Sequence, residues 1–245
     1  MEKENLIFGR NPVFEYITEL QGSTGCTLYI AENSHGKIIE KIISEAKKRS
    51  IPIKKENKSF FTSLGSSSVH QGIALRISLK SSTADDFDAI ETTAANKGII
   101  VILDHLTDPH NVGSIIRTAE ALGCGAVIIP KNHSVGITPI VVKSSAGATA
   151  HIPIVSITNI ASFIDDLKKK GYWIIGSSDN ATTSIADISD LRPIALVIGN
   201  EGDGMKRLTQ EKCDHILKIP LKGKVSSLNA SVAAGILLYA LTNKL

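Results

Sequence analysis

The chain has 245 residues, a formal net charge of +3 and 42% hydrophobic residues, enough for one large or two small domains with proper cores. Its longest apolar runs, such as Ile99 to Leu103 and Ile194 to Ile198, have strand length rather than the ~20 residues of a spanning helix, and Met1-Glu2-Lys3-Glu4-Asn5 lacks a signal core; no membrane role and a cytoplasmic location are expected. Cys26, Cys124 and Cys213 are odd in number, far apart and without C-x-x-C spacing, which excludes a disulfide framework or a zinc pattern and leaves small buried thiols.

Charge divides the chain in three. Residues 1–80 carry twelve Lys/Arg against eight Asp/Glu, residues 81–96 none against four, and residues 97–245 fifteen against twelve. In the first region Pro12 to Leu20 has helical spacing and Thr27 to Ala31 is strand-like. Gly36 to Arg49 reads as an amphipathic helix with Ile38, Ile39, Ile42, Ile43 and Ala46 on one side. Short strands at Ile51 to Lys54 and Gly72 to Ile77 complete a small α/β unit. Its cluster of Lys47, Lys48, Arg49, Lys54, Lys55 and Lys58 has two readings: a phosphate-neutralising patch, or a solvated helix end. Aromatic residues, 4% of the chain with a single Trp, offer no stacking platform for bases. The acidic stretch 81–96 reads as a linker or a short surface helix.

From residue 97 the pattern becomes regular. Strands are predicted at Gly98 to Leu103, Ala126 to Ile129, Ile152 to Val155, Tyr172 to Gly176, Ala195 to Ile198 and His215 to Ile219. Helices are predicted at Val112 to Leu122, Ile160 to Lys170 and Leu228 to Leu241. Continuous apolar strands alternating with helices argue for a parallel sheet covered on both faces, and such sheets bind ligands at the carboxyl ends of their strands. Three polar or glycine-rich segments follow strands here: Asp104 to Asn111, Gly199 to Gly204, and Gly223 to Asn229. A dinucleotide-binding domain is excluded by a specific test, since its G-x-G-x-x-G should follow the first strand, and that position holds Asp104 to Gly113.

These segments carry a resemblance. Leu103-Asp104-x3-Asp108-Pro109-His110-Asn111-Val112-Gly113-x3-Arg117-Thr118-Ala119, Ile198-Gly199-Asn200-Glu201-Gly202-x-Gly204 and Ile219-Pro220-Leu221-x-Gly223-x-Val225-x-Ser227-Leu228-Asn229-Ala230-Ser231 resemble, in order and spacing, the three motifs of the SpoU (TrmH-type) RNA ribose 2'-O-methyltransferases. Phe8-Gly9-Arg10-Asn11-Pro12-Val13 and Val69-His70-Gln71-Gly72-Ile73 resemble the L30e-like substrate-binding domain of the 23S rRNA guanosine branch. The resemblance implies an α/β chain in three parts. Residues 1–80 would form an L30e-like RNA-binding domain, 81–96 a linker, and 97–245 a SPOUT-type parallel-sheet domain with a trefoil knot. It further implies S-adenosyl-L-methionine as methyl donor, 23S rRNA as the RNA partner with no DNA, and a homodimer that completes each active site.

Each motif residue has a plainer reading beside the implied one. Arg117 is a solvent-facing helix arginine, or the family's catalytic arginine; since guanidinium does not ordinarily lose its proton, the second role is to grip a phosphate and stabilise developing alkoxide charge. Asn111 can be an N-cap; the resemblance places it at the substrate site. Glu201 can be a turn carboxylate, and the resemblance has it orient substrate or Arg117. Ser227 and Asn229 stand where caps stand before an apolar helix, and the resemblance assigns both to catalysis. Gly199, Ile219 and Leu228 match positions that hold the cofactor's adenosine.

Two features are discounted. Asp104, His105, Asp108 and His110 have no recognised ligand spacing, so no metal is expected. Lys143 to Ala148 lacks the ending of a phosphate loop and reads as a close-packed segment. Competing functions are a methyltransferase of tRNA or of another rRNA nucleotide, a non-catalytic RNA-binding or ribosome-assembly protein of the same fold, and a nucleotide-dependent oxidoreductase. The complete set Asn111, Arg117, Glu201, Ser227 and Asn229 argues against the second, and the missing fingerprint against the third.

Overall fold

The structure, a computed structural model, describes residues 6–19, 26–64, 70–77, 84–179, 181, 183–185, 188, 191–225 and 227–243. The chain divides into two compact units, Met1–Lys80 with Ile137–Pro139, and Ser81–Gly136 with Ile140–Leu245.

In the first unit the elements are β1 (Leu6–Phe8), α1 (Arg10–Glu19), β2 (Cys26–Ala31), α2 (Lys37–Lys48), β3 (Ile53–Glu56), α3 (Lys58–Leu64) and β4 (Ile73–Ile77). Their sheet has the order β1-β4-β2-β3, antiparallel except between β2 and β3. The amphipathic helix forms as its spacing predicts, with Ile39, Ile42 and Ala46 buried. Ile51, expected to open a strand, instead finishes this helix. Ser50 takes φ 55°, and the amides of Ser50 and Ile51 donate to the carbonyls of Lys47 and Ala46, a two-bond left-handed cap that delays β3 to Ile53. β1 and α3 are too short to show a period and were not expected. Tyr29 and Phe61 pack with Leu6 and Ala74 in the core of this unit. The two short motif segments of this unit meet: the Arg10 amide donates to Gln71 Oε1 (3.2 Å) and its Nε to the Gln71 carbonyl (3.4 Å). Val69 lies outside the described residues. Of the basic cluster, Lys48 and Arg49 both pair with Glu45, whereas Lys47, Lys54, Lys55 and Lys58 are exposed.

The second unit begins with α4 (Ala84–Ala95), the helical alternative for the acidic stretch. Ile90 of α4 is buried, and its carbonyl accepts from Tyr172 Oη at 2.8 Å. There follow β5 (Ile99–Asp104), α5 (Pro109–Ala121), β6 (Ala126–Pro130), α6 (Pro139–Ser144), β7 (Ile154–Ile157), α7 (Ile160–Lys169) and β8 (Trp173–Ser177). The chain continues through β9 (Thr183–Ser184), β10 (Ile194–Gly199), α8 (Arg207–Glu211), β11 (His215–Lys218) and α9 (Ala230–Thr242). The sheet order is β7-β6-β5-β10-β8-β11-β9, parallel at every pairing. All six residues of β5 and all five of β6 are buried, as expected of strands covered on both faces.

Strand order places the site. From β5 the chain steps outward through β6 to β7, while β8, β11 and β9 lie on the other side, with β10 inserted between β5 and β8. The order therefore reverses at the β5/β10 pair, whose final residues, Asp104 and Gly199, are register partners. Loops after such neighbouring carboxyl ends leave in divergent directions and open a crevice.

Candidate active site

The last residue of β5, Asp104, has no solvent exposure. Its Oδ1 accepts from His105 Nδ1 (2.6 Å) and its Oδ2 from the amide of Lys206 (2.7 Å). A carboxylate only accepts, so Nδ1 carries the histidine proton. His105 has φ 60°, and its carbonyl accepts from Asn200 Nδ2 (2.8 Å). The loop after β5 and the loop after β10 are thus tied at two points.

Between those ties the second loop makes a tight turn. The amides and carbonyls of Asn200 and Gly204 bond reciprocally at 3.0 Å, and Asn200 Oδ1 accepts from the Gly202 amide (2.8 Å). Gly204 has φ 71°, a conformation that side chains rarely adopt. Gly199 is required by this turn: a Cβ there would lie 2.3 Å from the Met205 amide nitrogen. The turn closes onto this strand end.

The turn presents Glu201, whose Oε1 accepts from Asn111 Nδ2 (2.7 Å). Asn111 is no cap. Asp108 caps α5 by accepting from the His110 amide, Pro109 is the first helical residue, and Asn111 lies one turn inside, buried. Asn111 Oδ1 in turn accepts from Asn229 Nδ2 (2.9 Å). Asn229 also caps α9, its Oδ1 accepting from the amides of Ser231 (2.9 Å) and Val232 (3.4 Å). The carboxylate of Glu201 requires Asn111 to turn its amide N–H₂ that way, which leaves Asn111 Oδ1 for Asn229. Both amide orientations follow from the network. Residues 90 and 118 positions apart are joined in one polar chain.

The other motif residues stand apart from this chain. Arg117 is exposed on α5, roughly 120° around the helix from Asn111, and among the described residues it makes no hydrogen bond or ion pair. Glu201 binds Asn111, not Arg117. Ser227 is exposed, while Ile219 and Leu228 are half-buried in the loop between β11 and α9. Among the described residues no group of three or more His, Cys, Asp or Glu side chains is placed to hold a metal. Both oxygens of Asp104 are engaged as above, and Asp108 caps its helix. The Lys143–Ala148 segment packs tightly: a Cβ on Gly113 of α5 would lie 1.9 Å from Ser144 Oγ. Sequence reasoning passed over Asp104 and Asn200 as organising residues. Their signals were a lone carboxylate ending an apolar strand, and an Asn two residues before a glycine.

Residues 98–239 match the profile of the SpoU rRNA Methylase family, and residues 6–83 the profile for RNA 2'-O ribose methyltransferase substrate binding. A Staphylococcus haemolyticus protein assigned to the TrmH family of tRNA/rRNA methyltransferases is 41% identical over 240 residues, 98% of this chain and 95% of that protein. YacO of Bacillus subtilis, assigned likewise, is 37% identical over 244 residues, 99% and 97% of the two chains. Among solved structures, the SpoU methyltransferase AviRb of Streptomyces viridochromogenes with bound AdoMet aligns with a TM-score of 0.67 at 23% identity, covering 97% of this chain and 88% of that one. The AdoMet-bound rRNA methyltransferase of Sinorhizobium meliloti aligns with a TM-score of 0.64 at 21% identity, covering 96% and 85%. The fold is therefore theirs, and the chain belongs to the SpoU (TrmH-type) family of S-adenosylmethionine-dependent RNA methyltransferases.

Proposed function

We propose that this chain transfers methyl groups to ribose 2'-hydroxyls of RNA, that its target is a guanosine of 23S rRNA, and that it works as a homodimer. The observation that carries the reading is the hydrogen-bonded chain Glu201–Asn111–Asn229, which draws one residue from each of three separate motifs to the carboxyl end of the sheet. The match of residues 6–83 to a 2'-O ribose methyltransferase substrate-binding profile supports ribose as the acceptor. The first unit's exposed lysines support an RNA partner held through its phosphates.

The donor, when bound, supplies a methyl group on a sulfonium centre. The residues present fit it. Ile219 and Leu228 are apolar and half-buried, suited to a purine face. Among the described residues the backbone of Pro220–Val225 makes no backbone–backbone hydrogen bond, so its carbonyls and amides are available to an adenosine. Gly199 keeps the β10 turn closed. Because a ribose hydroxyl is a poor nucleophile at neutral pH and must lose its proton as its oxygen is methylated, the site needs both in-line positioning and an outlet for that proton, here to solvent beside the exposed Glu201. In this reading Glu201, steadied by Asn111, orients the ribose with Ser227 and Asn229, and Arg117 grips the neighbouring phosphate.

Helix α9 supports the dimer. Ala234, Leu237, Leu238 and Leu241 are buried on one side, yet Val232, Ile236 and Tyr239, spaced i, i+4, i+7, are 50%, 43% and 63% exposed. A helix apolar on both sides expects a second partner. A second copy suits it, since Arg117 stands exposed on α5, the helix against which α9 packs, and a twofold contact here would complete each site. Insertion of β10 between β5 and β8 is consistent with threading of the segment after it as a trefoil knot.

Mapping 2'-O-methylation in rRNA and tRNA from cells with and without the gene tests the reading. One 2'-O-methylguanosine of 23S rRNA should disappear with the gene. Loss confined to tRNA would replace the substrate, and no lost methyl group would overturn the activity.

A further inference from the structure

We propose that Asp104 is a positioning residue for methyl transfer: its buried carboxylate latches the turn that carries Glu201. The proposal rests on the reading of this site as a methyltransferase centre.

A carboxylate with no exposure, ending a strand whose other residues are Ile99, Ile100, Val101, Ile102 and Leu103, is costly to bury unless fully bonded. An apolar side chain would serve packing alone at lower cost. What the carboxylate adds is a second attachment. One oxygen holds His105, the next residue; the other holds the amide of Lys206, 102 residues on. His105 is thereby kept at φ 60°, a conformation that costs a non-glycine residue and persists only where its surroundings impose it. In that conformation its carbonyl receives Asn200 Nδ2.

The turn is thus held at its entrance, where Asn200 bonds the His105 carbonyl, and at its exit, where the Lys206 amide bonds Asp104. Glu201 lies between these anchors. It is exposed and accepts a hydrogen bond from Asn111. An exposed carboxylate on a loose turn would sample many orientations. On a turn clamped at both ends, it meets Asn111 in one. Among the described residues Asp104 makes no hydrogen bond to Asn111, Glu201 or Asn229, so its influence passes through the backbone. It is therefore distinct from the residues that face the ribose.

The test uses the full chain carrying Asp104→Asn, which preserves shape while removing the charge. Methyl transfer is followed with radiolabelled S-adenosylmethionine on in-vitro-transcribed 23S rRNA. Misplacing a site group by about an ångström costs up to about 100-fold, so kcat should fall about 10- to 100-fold. In a Glu201→Gln background the same change should cost less than about twofold, because the group it positions is already lost. Full, independent loss in both backgrounds would mark a general structural role and overturn the proposal. Should Asp104→Asn not fold, Asn200→Ala cuts the other anchor from outside the core and completes the same cycle. Hydrogen exchange of segment 200–206 reads the latch without reference to activity, and should quicken by at least about tenfold in Asp104→Asn. Unchanged exchange would overturn the latch, whereas faster exchange in a protein that methylates no RNA would sustain the latch and sink the assigned reaction.

Discussion

The two sheets treat charge in opposite ways. In the four-stranded sheet of the first unit, Lys54 and Lys55 lie exposed on β3, an edge strand, where lysines discourage strand addition and remain hydrated. In the seven-stranded sheet a carboxylate sits at the end of an interior strand with no solvent exposure. The edge charges cost little and commit the backbone to nothing, so they are free to attract phosphates of many geometries. The central charge is tolerable only when bonded on both oxygens, and those bonds shape two loops. A solvated charge supplies affinity, and a buried one supplies geometry.

The largest break in this comparison should come from an exposed motif cation of the second unit, Arg117. Arg117→Ala is expected to lower methyl transfer by about 100- to 1000-fold, with calorimetric affinity for S-adenosylmethionine nearly unchanged; equal loss of both would remove Arg117 from the reacting centre. Next, Gly199→Ala should destabilise the protein by about 1–3 kcal/mol in urea titration, because the new Cβ meets the Met205 amide nitrogen, a backbone atom. An unchanged midpoint would mean that the turn yields easily and the clamp is soft. A smaller effect is expected at the edge: Lys54→Glu with Lys55→Glu should weaken rRNA binding at low salt by roughly tenfold and flatten the salt dependence by about one to two log units per log unit of salt. Binding of the methyl donor should not change. A salt slope that stays the same would take β3 out of the RNA contact.

The smallest effect is none. Burial pushes the thiol of Cys26 up to about 11 and those of Cys124 and Cys213 up to about 12, so at pH 7.5 all three are protonated and poor nucleophiles. Iodoacetamide should leave the native protein unlabelled over a time in which the unfolded chain reacts fully. Selective labelling of Cys26, or of the other two, would show which unit opens first.

Much of this molecule was legible in its residues. The β5, β6 and β10 strands are near-continuous apolar runs, which only a doubly covered parallel strand accommodates well, and they were found within a residue or two. Helices α2 and α7 show their period plainly. Boundaries moved where a local cap outranked propensity, as at Ile51, which closes α2 by a left-handed turn through Ser50. The candidate site residues were nameable from three motifs, but their relations were not. Asn111, Ser227 and Asn229 could each be read as caps, and only Asn229 is one in the structure, while it serves the polar chain as well. Gly199 is also required by its own turn, where a Cβ would meet the Met205 amide nitrogen.

The sequence by itself determined the element types, the parallel sheet and the residues worth watching, because hydrophobic period and turn chemistry are properties of adjacent positions. Only the tertiary structure decided that β10 enters between β5 and β8, that Asp104 and Gly199 end side by side, and that Glu201, Asn111 and Asn229 bond in one line. Those facts join residues about a hundred positions apart. The hydrogen bonds that record them form only once burial of the strands has placed their ends together.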